Sequence, residues 1–278
     1  LGDVRTALAA TALSVTSPLQ LALGRRALSD EMFCAVFLFA LWALVRAARA
    51  DPPSRARRYA LSVVPTAFVL SVKETSLLAA PGVLAAIYLL RGRRFERGDL
   101  LLVVLAVVIW YLGFALLSGS ASTLFEVFGA ENVGTKNAPY VEGYNSGPPH
   151  RILSDFFLVA PLTTAIALIA VAFALFEWKE LSPGLRALLV VLVWTLVATS
   201  LSPVKNLRYA VNSDGLIRAL AAWFVVERFL PAFGRSWGVA LAAGNALYEL
   251  WIFHRAFITG GVYDPVTAEL ARALSMTP

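Results

Sequence analysis

Charge is scarce in this chain. Lys, Arg, Asp and Glu make up 15% of its 278 residues, whereas about a quarter is usual in a soluble domain. Cys34 is the only cysteine, which excludes an internal disulfide and a cysteine metal cluster. The two histidines, His150 and His254, lie far apart and lack the spacing of metal ligands.

Apolar residues are correspondingly abundant, and 59% of the chain is hydrophobic. Residues 100–117 and 156–176 contain no charged side chain, and a helix needs about 20 apolar residues to cross a bilayer. We therefore predict an all-α, polytopic bundle of transmembrane helices. The formal net charge of +6 then reports orientation in the membrane, and nucleic acid is not an expected partner.

About nine membrane crossings are predicted. They are residues 6–23, 32–45, 59–72, 75–90, 100–117, 156–176, 187–201, 216–230 and 237–253. Pro18 breaks the far end of the first run, and residues 17–31 are expected to form a loop. The transmembrane domain is predicted to span residues 1–253, and residues 254–278 to form a short tail on the outer face, with an amphipathic helix at 265–274.

The orientation follows from two arginine-rich segments, residues 46–58 and 91–99, which the positive-inside rule places in the cytoplasm. An even number of crossings must separate them, so Lys73 and Glu74 form the outer tip of a hairpin. The two hairpin runs are short for the bilayer, which leaves a re-entrant hairpin as the alternative. Residues 17–31, 73–74, 118–151 and 202–215 then share the outer face of a multi-pass plasma-membrane protein.

Two carboxylates, Asp30 and Glu31, open the second crossing from this outer face. With Ser29 as N-cap they suit the positive end of a helix, which is a purely structural role. The functional alternative rests on Arg25 and Arg26, which precede them on the same side. Charge at the mouth of a membrane helix is costly and is usually functional.

Cations recur on the same face. Lys73 and Glu74 form either a solvated turn or a pair that ends the helix. The functional alternative is that Lys73 reaches an anionic head group or a substrate phosphate. Lys205 and Arg208 fall on one face if their segment is helical, and two such cations suit a phosphate. The alternative is a head-group anchor with Tyr209 at the membrane interface.

Three further residues carry weaker signals. His150 ends the long outer loop, and a lone loop histidine is usually inert. Arg218 lies in an apolar stretch and is predicted to pair with Asp214 at i,i+4. Glu249 lies within the last crossing, either as a packing partner or as a residue of a transport pathway.

The order of these motifs resembles the membrane-embedded GT-C glycosyltransferases. The closest branch is that of the protein O-mannosyltransferases, the aminoarabinose transferases and their bacterial relatives. The shared pattern is an outer R-x-L-x-D-E, a basic inner loop, a K-E-T hairpin tip and a late outer K-x-x-R-Y. The resemblance implies a polyprenyl-phosphate sugar donor, used at the outer face of a bacterial or archaeal membrane. It implies transfer with inversion to a hydroxyl of a lipid, glycan or protein acceptor.

The resemblance also implies roles for residues. A carboxylate acts as general base on the acceptor, and cations stabilise the leaving phosphate. Lys73, Lys205 and Arg208 match the cations, with Arg25 or Arg26 nearby. Glu74, His150 and Tyr209 join the substrate-binding set. Asp30 matches the acid that the family places after its second outer loop, and Glu31 follows it. Together these two acids offer oxygen ligands for Mg²⁺ or Mn²⁺, although the need for a metal stays open.

One feature of the family is missing. Its principal catalytic acid lies in the first outer loop, after the first membrane helix, and no such loop is found here. The chain begins at Leu1 rather than Met, so we expect preceding sequence to carry that acid. Asp30 is then a supporting acid, and the 278-residue chain alone is expected to be inactive.

Two other functions compete with glycosyl transfer. A flippase for lipid-linked sugars, or an anion transporter, would use the same outer cations, and a non-catalytic membrane subunit is the third possibility. A transporter should carry ionisable residues at mid-membrane depth and discontinuous helices. The runs 100–117, 156–176 and 187–201 have no such residues and no sequence repeat is present, which favours chemistry at the membrane surface.

Overall fold

The computed structural model of the protein describes residues 3–25, 29–72, 74–92, 94–123, 125–126, 147–202 and 205–260. These residues form helices and turns, and no β-strand occurs among them. The first six helices are α1 (Val4–Val15), α2 (Pro18–Arg25), α3 (Ser29–Ala48), α4 (Pro52–Val72), α5 (Ala80–Leu90) and α6 (Arg97–Ser118). They are followed by α7 (Arg151–Val159), α8 (Pro161–Phe176), α9 (Pro183–Leu201), α10 (Val211–Phe224), α11 (Leu230–Phe233) and α12 (Arg235–Ile252).

Shorter helical segments complete the bundle. Two 3₁₀ helices cover Glu74–Ala79 and Leu207–Ala210, and π-helical segments continue α10 over Val225–Phe229 and α12 over Phe253–Thr259. The predicted tail from residue 254 therefore begins inside a helix. The predicted amphipathic helix at 265–274 lies outside the described residues.

The break at Pro18 is confirmed, but the predicted loop around it is wrong. The chain bends by 59° between α1 and α2, because Pro18 has no N–H to continue the first helix. Helix α2 then occupies most of the segment expected to be a loop, and its apolar face drives this: Leu19 and Leu23 are fully buried. Proline is well tolerated in the first turn of a helix, which fits Pro18 at the start of α2.

A second break interrupts the run at 156–176, which was predicted as one crossing. Helix α7 ends at Val159, Ala160 adopts φ −142° and ψ 66°, and α8 begins at Pro161. The proline ring excludes a continuous helix here and starts a new one. One predicted crossing is therefore two helices.

Two predicted loops are partly helical. Helix α4 begins at Pro52, so Arg55, Arg57 and Arg58 lie on a helix and not in the predicted inner loop. Helix α10 begins at Val211, within the predicted outer loop 202–215. In both cases the polar residues stand on the end of a helix whose continuation is apolar.

Within the described ranges, two helices, α6 and α9, are long and apolar enough to cross a membrane. The bent pair α1–α2 makes a third if it counts as one span. Apolar but shorter helices cover Met32–Ala48, Ser76–Leu90 and Pro161–Phe176. The protein thus has helices suited to a membrane, and the number of nine crossings stays a prediction.

Helix α10 lies at the centre of the described bundle. It packs against α1, α3, α8 and α9, and 12 of its 14 residues are buried. Helix α3 comes close at Gly215, where a Cβ would lie 2.9 Å from Leu38 Cδ1 and 3.3 Å from Cys34 Sγ. The start of α10 and the start of α3 therefore lie at one end of the bundle, which we name the outer end after the predicted orientation.

Candidate functional site

A buried ion cluster of Asp214, Arg218 and Glu249 lies near the outer end, between α10 and α12. The Nε atom of Arg218 donates to both carboxylate oxygens of Asp214 at 3.1 Å. Its Nη1 atom donates to Glu249 Oε2 at 2.7 Å. All three side chains are at most 2% exposed, so the predicted Asp214–Arg218 pair is confirmed and is joined by Glu249.

The break between α1 and α2 forms one wall of this cluster. Ser17 Oγ and Gln20 Nε2 each donate to Asp214 Oδ2 at 2.9 Å. The Leu13 carbonyl accepts a bond from Arg218 Nη1 at 2.6 Å. This carbonyl is accessible because the Ser17 N–H, its partner in an unbroken helix, instead bonds Ser14 at 3.1 Å. The bend at Pro18 thus creates part of the cluster.

Helices α8 and α12 form the opposite wall. The Thr163 hydroxyl donates to Glu249 Oε1, and Asn245 Nδ2 donates to Thr163 Oγ1 at 2.9 Å. Thr163 stands two residues after Pro161, so the second helix break also positions a member of the cluster. The cluster therefore fastens α1, α2, α8, α10 and α12 to one another.

Both carboxylates of the cluster are fully engaged by donors. Neither is free to take a proton from a substrate hydroxyl in this arrangement, so their role is to position the helices. A buried pair of this kind strongly destabilises the fold when one partner is removed. Two neighbouring polar atoms, Asn212 Oδ1 and Ser213 Oγ, are buried at the start of α10 without a hydrogen-bond partner in the described part of the chain.

The predicted basic segment lies directly before α10. Lys205 is buried, and its ammonium group donates to the Ser202 carbonyl at 2.7 Å, where it caps the end of α9. The 3₁₀ helix begins only at Leu207, so Lys205 and Arg208 do not share a helical face as the spacing suggested. Arg208 and Tyr209 are half-buried within this 3₁₀ helix.

His150 lies beside the same segment through α7. It is exposed and directly precedes α7, and α7 packs against the 3₁₀ helix that carries Arg208 and Tyr209. Within α7, Arg151 pairs with Asp155 at 3.7 Å. Burial raises the pKa of the Asp155 carboxyl, and the charge of Arg151 offsets part of that effect.

The predicted acids open α3 at the same end. Asp30 and Glu31 lie in its first turn, as expected, and their side chains are outside the description. Cys34 follows about one turn later and lies against Gly215 of α10. Arg26 and Lys73 lie outside the described residues, and for Arg25 and Glu74 only the helical backbone is described.

A second charged cluster occupies the opposite end, where α4 and α6 begin and α5 ends. Arg91 pairs with Glu96 at 2.6 Å and with Asp99 at 3.2 Å. Arg55 also pairs with Glu96, and the Tyr59 hydroxyl donates to Asp99. Hydrogen bonds from Arg91 and Arg55 lower the pKa of Glu96. This grouping joins the two arginine-rich segments that were predicted to share the inner face.

Sequence reasoning missed four residues that form hydrogen bonds in or beside the buried ion cluster. Ser17, Gln20, Thr163 and Asn245 are uncharged, and isolated hydroxyl and amide groups are common in apolar helices. Asn245 did carry a signal, since it lies at i,i+4 to Glu249 on α12.

Comparison of the chain with family models, curated proteins and solved structures finds no match in any of the three.

Proposed function

We propose that this protein is a GT-C-type membrane glycosyltransferase. It moves a monosaccharide from a polyprenyl-phosphate donor to an acceptor hydroxyl at the outer face of the membrane, with inversion. One observation supports this most. The acids that open α3 and the cations Lys205 and Arg208 flank the start of the same buried helix, α10. Acidic and basic residues of the sequence thus fall at one end of the bundle, and we propose that the phosphate and the acceptor hydroxyl bind there.

In the proposed reaction the acceptor oxygen attacks the anomeric carbon from the face opposite the phosphate. The bond between that carbon and the phosphate oxygen breaks, and polyprenyl phosphate leaves with the electron pair. A carboxylate takes the hydroxyl proton, with Asp30 and Glu31 as supporting acids. Arg208 stabilises the charge that develops on the leaving phosphate. Lys205 supports the segment that carries Arg208 through its bond to the end of α9.

The buried ion cluster fixes the helix on which the proposed site is built. Asp214 and Arg218 lie about one to two turns into α10, directly beneath the basic segment. Because Asp214 and Glu249 accept bonds from the α1–α2 break, from α2 and from α8, the start of α10 is held in one position. Positioned charges contribute most to catalysis when they do not have to reorganise.

A divalent cation would neutralise part of the phosphate charge in such a site. Asp30 and Glu31 offer oxygen ligands of the kind that Mg²⁺ and Mn²⁺ prefer. No group of three acidic, histidine or cysteine side chains that could hold a metal occurs among the described residues.

The test is transfer of label from radioactive polyprenyl-phosphate hexoses and pentoses in membranes that contain the natural protein. Arg208→Ala and Asp30→Asn are each expected to lower the rate by about 10²–10³-fold, the usual effect of removing one preorganised polar group. Lys205→Ala should also lower it. Arg235→Gln, an exposed arginine at the start of α12 and far from the cluster, is the matched control. Normal transfer by all three site variants would refute the proposed site.

A flippase or anion transporter is the second candidate, and two observations favour it. The bundle holds the buried ions Asp214, Arg218 and Glu249, and helices are interrupted at Pro18 and Pro161. Both features are common in transporters. Liposomes containing the protein and a labelled polyprenyl-phosphate sugar, without acceptor, separate the two functions. Movement of the label across the bilayer with no product in complete membranes would favour transport.

A further inference from the structure

A groove between α3 and α4 lies at the inner end of the bundle, away from the proposed reaction. Its volume is about 530 Å³, and three arginines line it together with apolar and aromatic side chains. The residues that matter here are Arg46, Arg57, Arg58, Phe39, Trp42 and Leu61. No acidic residue among those described lines the groove, so the charged side chains described at one end of it are all positive.

The arginines of this region fall into two groups. Arg55 and Arg91 are bound to Glu96 and serve the inner charged cluster. Arg46, Arg57 and Arg58 form no ion pair with any described acid. The guanidinium group of Arg46 instead lies 5.2 Å from the centre of the Trp42 ring. Orientation in the membrane explains why arginines are present. It does not explain why three of them converge on one groove without a counter-ion in the described part of the chain.

The start of helix α4 adds to the excess of positive charge at these three arginines. Arg57 and Arg58 lie near the start of α4, and no acid occurs in its first turn. The start of a helix carries partial positive charge and favours anions. Asp51 directly precedes α4 but does not line the groove. Three guanidinium groups and a helix start therefore present the same unmet preference for an anion.

The other end of the groove is apolar and open. Phe39, Trp42 and Leu61 are 55%, 53% and 67% exposed, and the rings of Phe39 and Trp42 stack at 5.6 Å. Pro65, also in the lining, removes one backbone N–H from the middle of α4. The groove is therefore divided into a cationic end and an aromatic and aliphatic end.

We propose that this groove binds an anionic phospholipid of the inner leaflet. The arginines hold its phosphate, and an acyl chain lies along Phe39, Trp42 and Leu61. A free phosphate ion would use only the cationic end, and a soluble anion would gain nothing from the exposed rings. The site does not depend on the glycosyl transfer proposed above, because it lies at the opposite end of α3.

The test is native mass spectrometry of the purified full chain in detergent, with added phosphatidylglycerol or phosphatidylcholine. We expect the protein to retain phosphatidylglycerol in preference to phosphatidylcholine. The triple variant Arg46→Gln, Arg57→Gln, Arg58→Gln should bind phosphatidylglycerol about 100-fold more weakly, since each basic residue near an anionic lipid contributes several-fold. Inorganic phosphate at equal concentration should not displace the lipid.

A matched control removes the same charge from the same end. Arg49, Arg94 and Arg97 are exposed and do not line the groove, so their triple glutamine variant should retain the lipid. Trp42→Ala keeps every charge and should still weaken retention. If the arginine triple fails to fold, the single variants Arg57→Gln and Arg49→Gln make the same comparison. Equal loss in groove and control variants, or full displacement by inorganic phosphate, would overturn the proposal.

Discussion

Helices α6 and α10 are opposites within one bundle. Helix α6 has 22 residues, and only 11% of its most apolar window is buried. Helix α10 has 14 residues, of which 12 are buried, including Asp214 and Arg218. The longer and more apolar helix is thus peripheral, and the shorter, charged helix is central.

This contrast shows that the apolar character of a helix does not indicate a central position in the bundle. An unbroken apolar helix can face lipid on all sides, so it needs few protein neighbours. A helix that carries buried charge must be surrounded by compensating partners. The polar residues of α10 therefore identify it as the organising helix, although its composition makes it harder to recognise as a membrane element.

Removal of the arginine from α10 should break this contrast most severely. Arg218→Met leaves Asp214 and Glu249 buried without a cation, which we expect to cost about 3–5 kcal/mol of stability. The measurement is thermal unfolding of the purified chain in detergent, together with its yield. Leu112→Ala, at an exposed position on α6, should change stability by about 0.5 kcal/mol or less.

A charge-neutral variant separates lost charge balance from lost packing. Asp214→Asn, Arg218→Met and Glu249→Gln together remove all three charges. This triple variant should recover much of the stability that Arg218→Met loses, because no uncompensated charge stays buried. An Arg218→Met chain as stable as the parent would show that the cluster does not hold α10 in place.

Glycine positions on the two helices offer a milder comparison. A methyl group at Gly215 of α10 would meet Leu38 Cδ1 at 2.9 Å and Cys34 Sγ at 3.3 Å, whereas at Gly113 of α6 nothing lies within 4 Å. Gly215→Ala should therefore lower stability by about 1–2 kcal/mol through overpacking. Gly113→Ala should be neutral or stabilising by up to about 1 kcal/mol through helix propensity. Thermal unfolding of both variants measures this, and equal effects would contradict the central position of α10.

The parts of the fold that could be predicted are those set by local sequence. The runs 100–117 and 187–201 correspond closely to α6 and α9, because uninterrupted apolar residues define both. The break at Pro18 followed from its missing N–H. Pro161 carries the same signal within 156–176, but the apolar character of that run outweighed it in the prediction.

The contacts of the candidate site also fall into two groups, those that local sequence predicts and those that it does not. The Asp214–Arg218 pair follows from i,i+4 spacing on one helix. The bond from Arg218 to Glu249 spans 31 residues, and the bonds from Ser17 and Gln20 to Asp214 span almost 200. Such contacts depend on how helices pack, which spacing along the chain does not encode. The burial of Lys205 at the end of α9 is a further consequence of packing.

The smallest expected effect lies at the exposed start of α6, where Glu96 precedes the first turn. Its pairs with Arg91 and Arg55 hold its pKa below the ordinary value of about 4.3. A lowered pKa means that the unfolded chain binds the proton more readily. The stabilisation is therefore present above about pH 4.3 and is lost as the pH falls through the lower folded value.

Glu96→Gln should accordingly reduce stability slightly at pH 7, and the difference from the parent should shrink as the pH falls below about 4. Because Glu96 is half-exposed, with 48% of its side chain accessible, salt should weaken the effect at pH 7. The effect of Arg218→Met should resist salt, since that cluster is buried. Thermal unfolding at low and high salt compares them directly. If the Glu96→Gln effect changed with neither salt nor pH, the ion pairs at the start of α6 would not be solvent-screened. The contrast between these exposed pairs and the buried cluster on α10 would then be wrong.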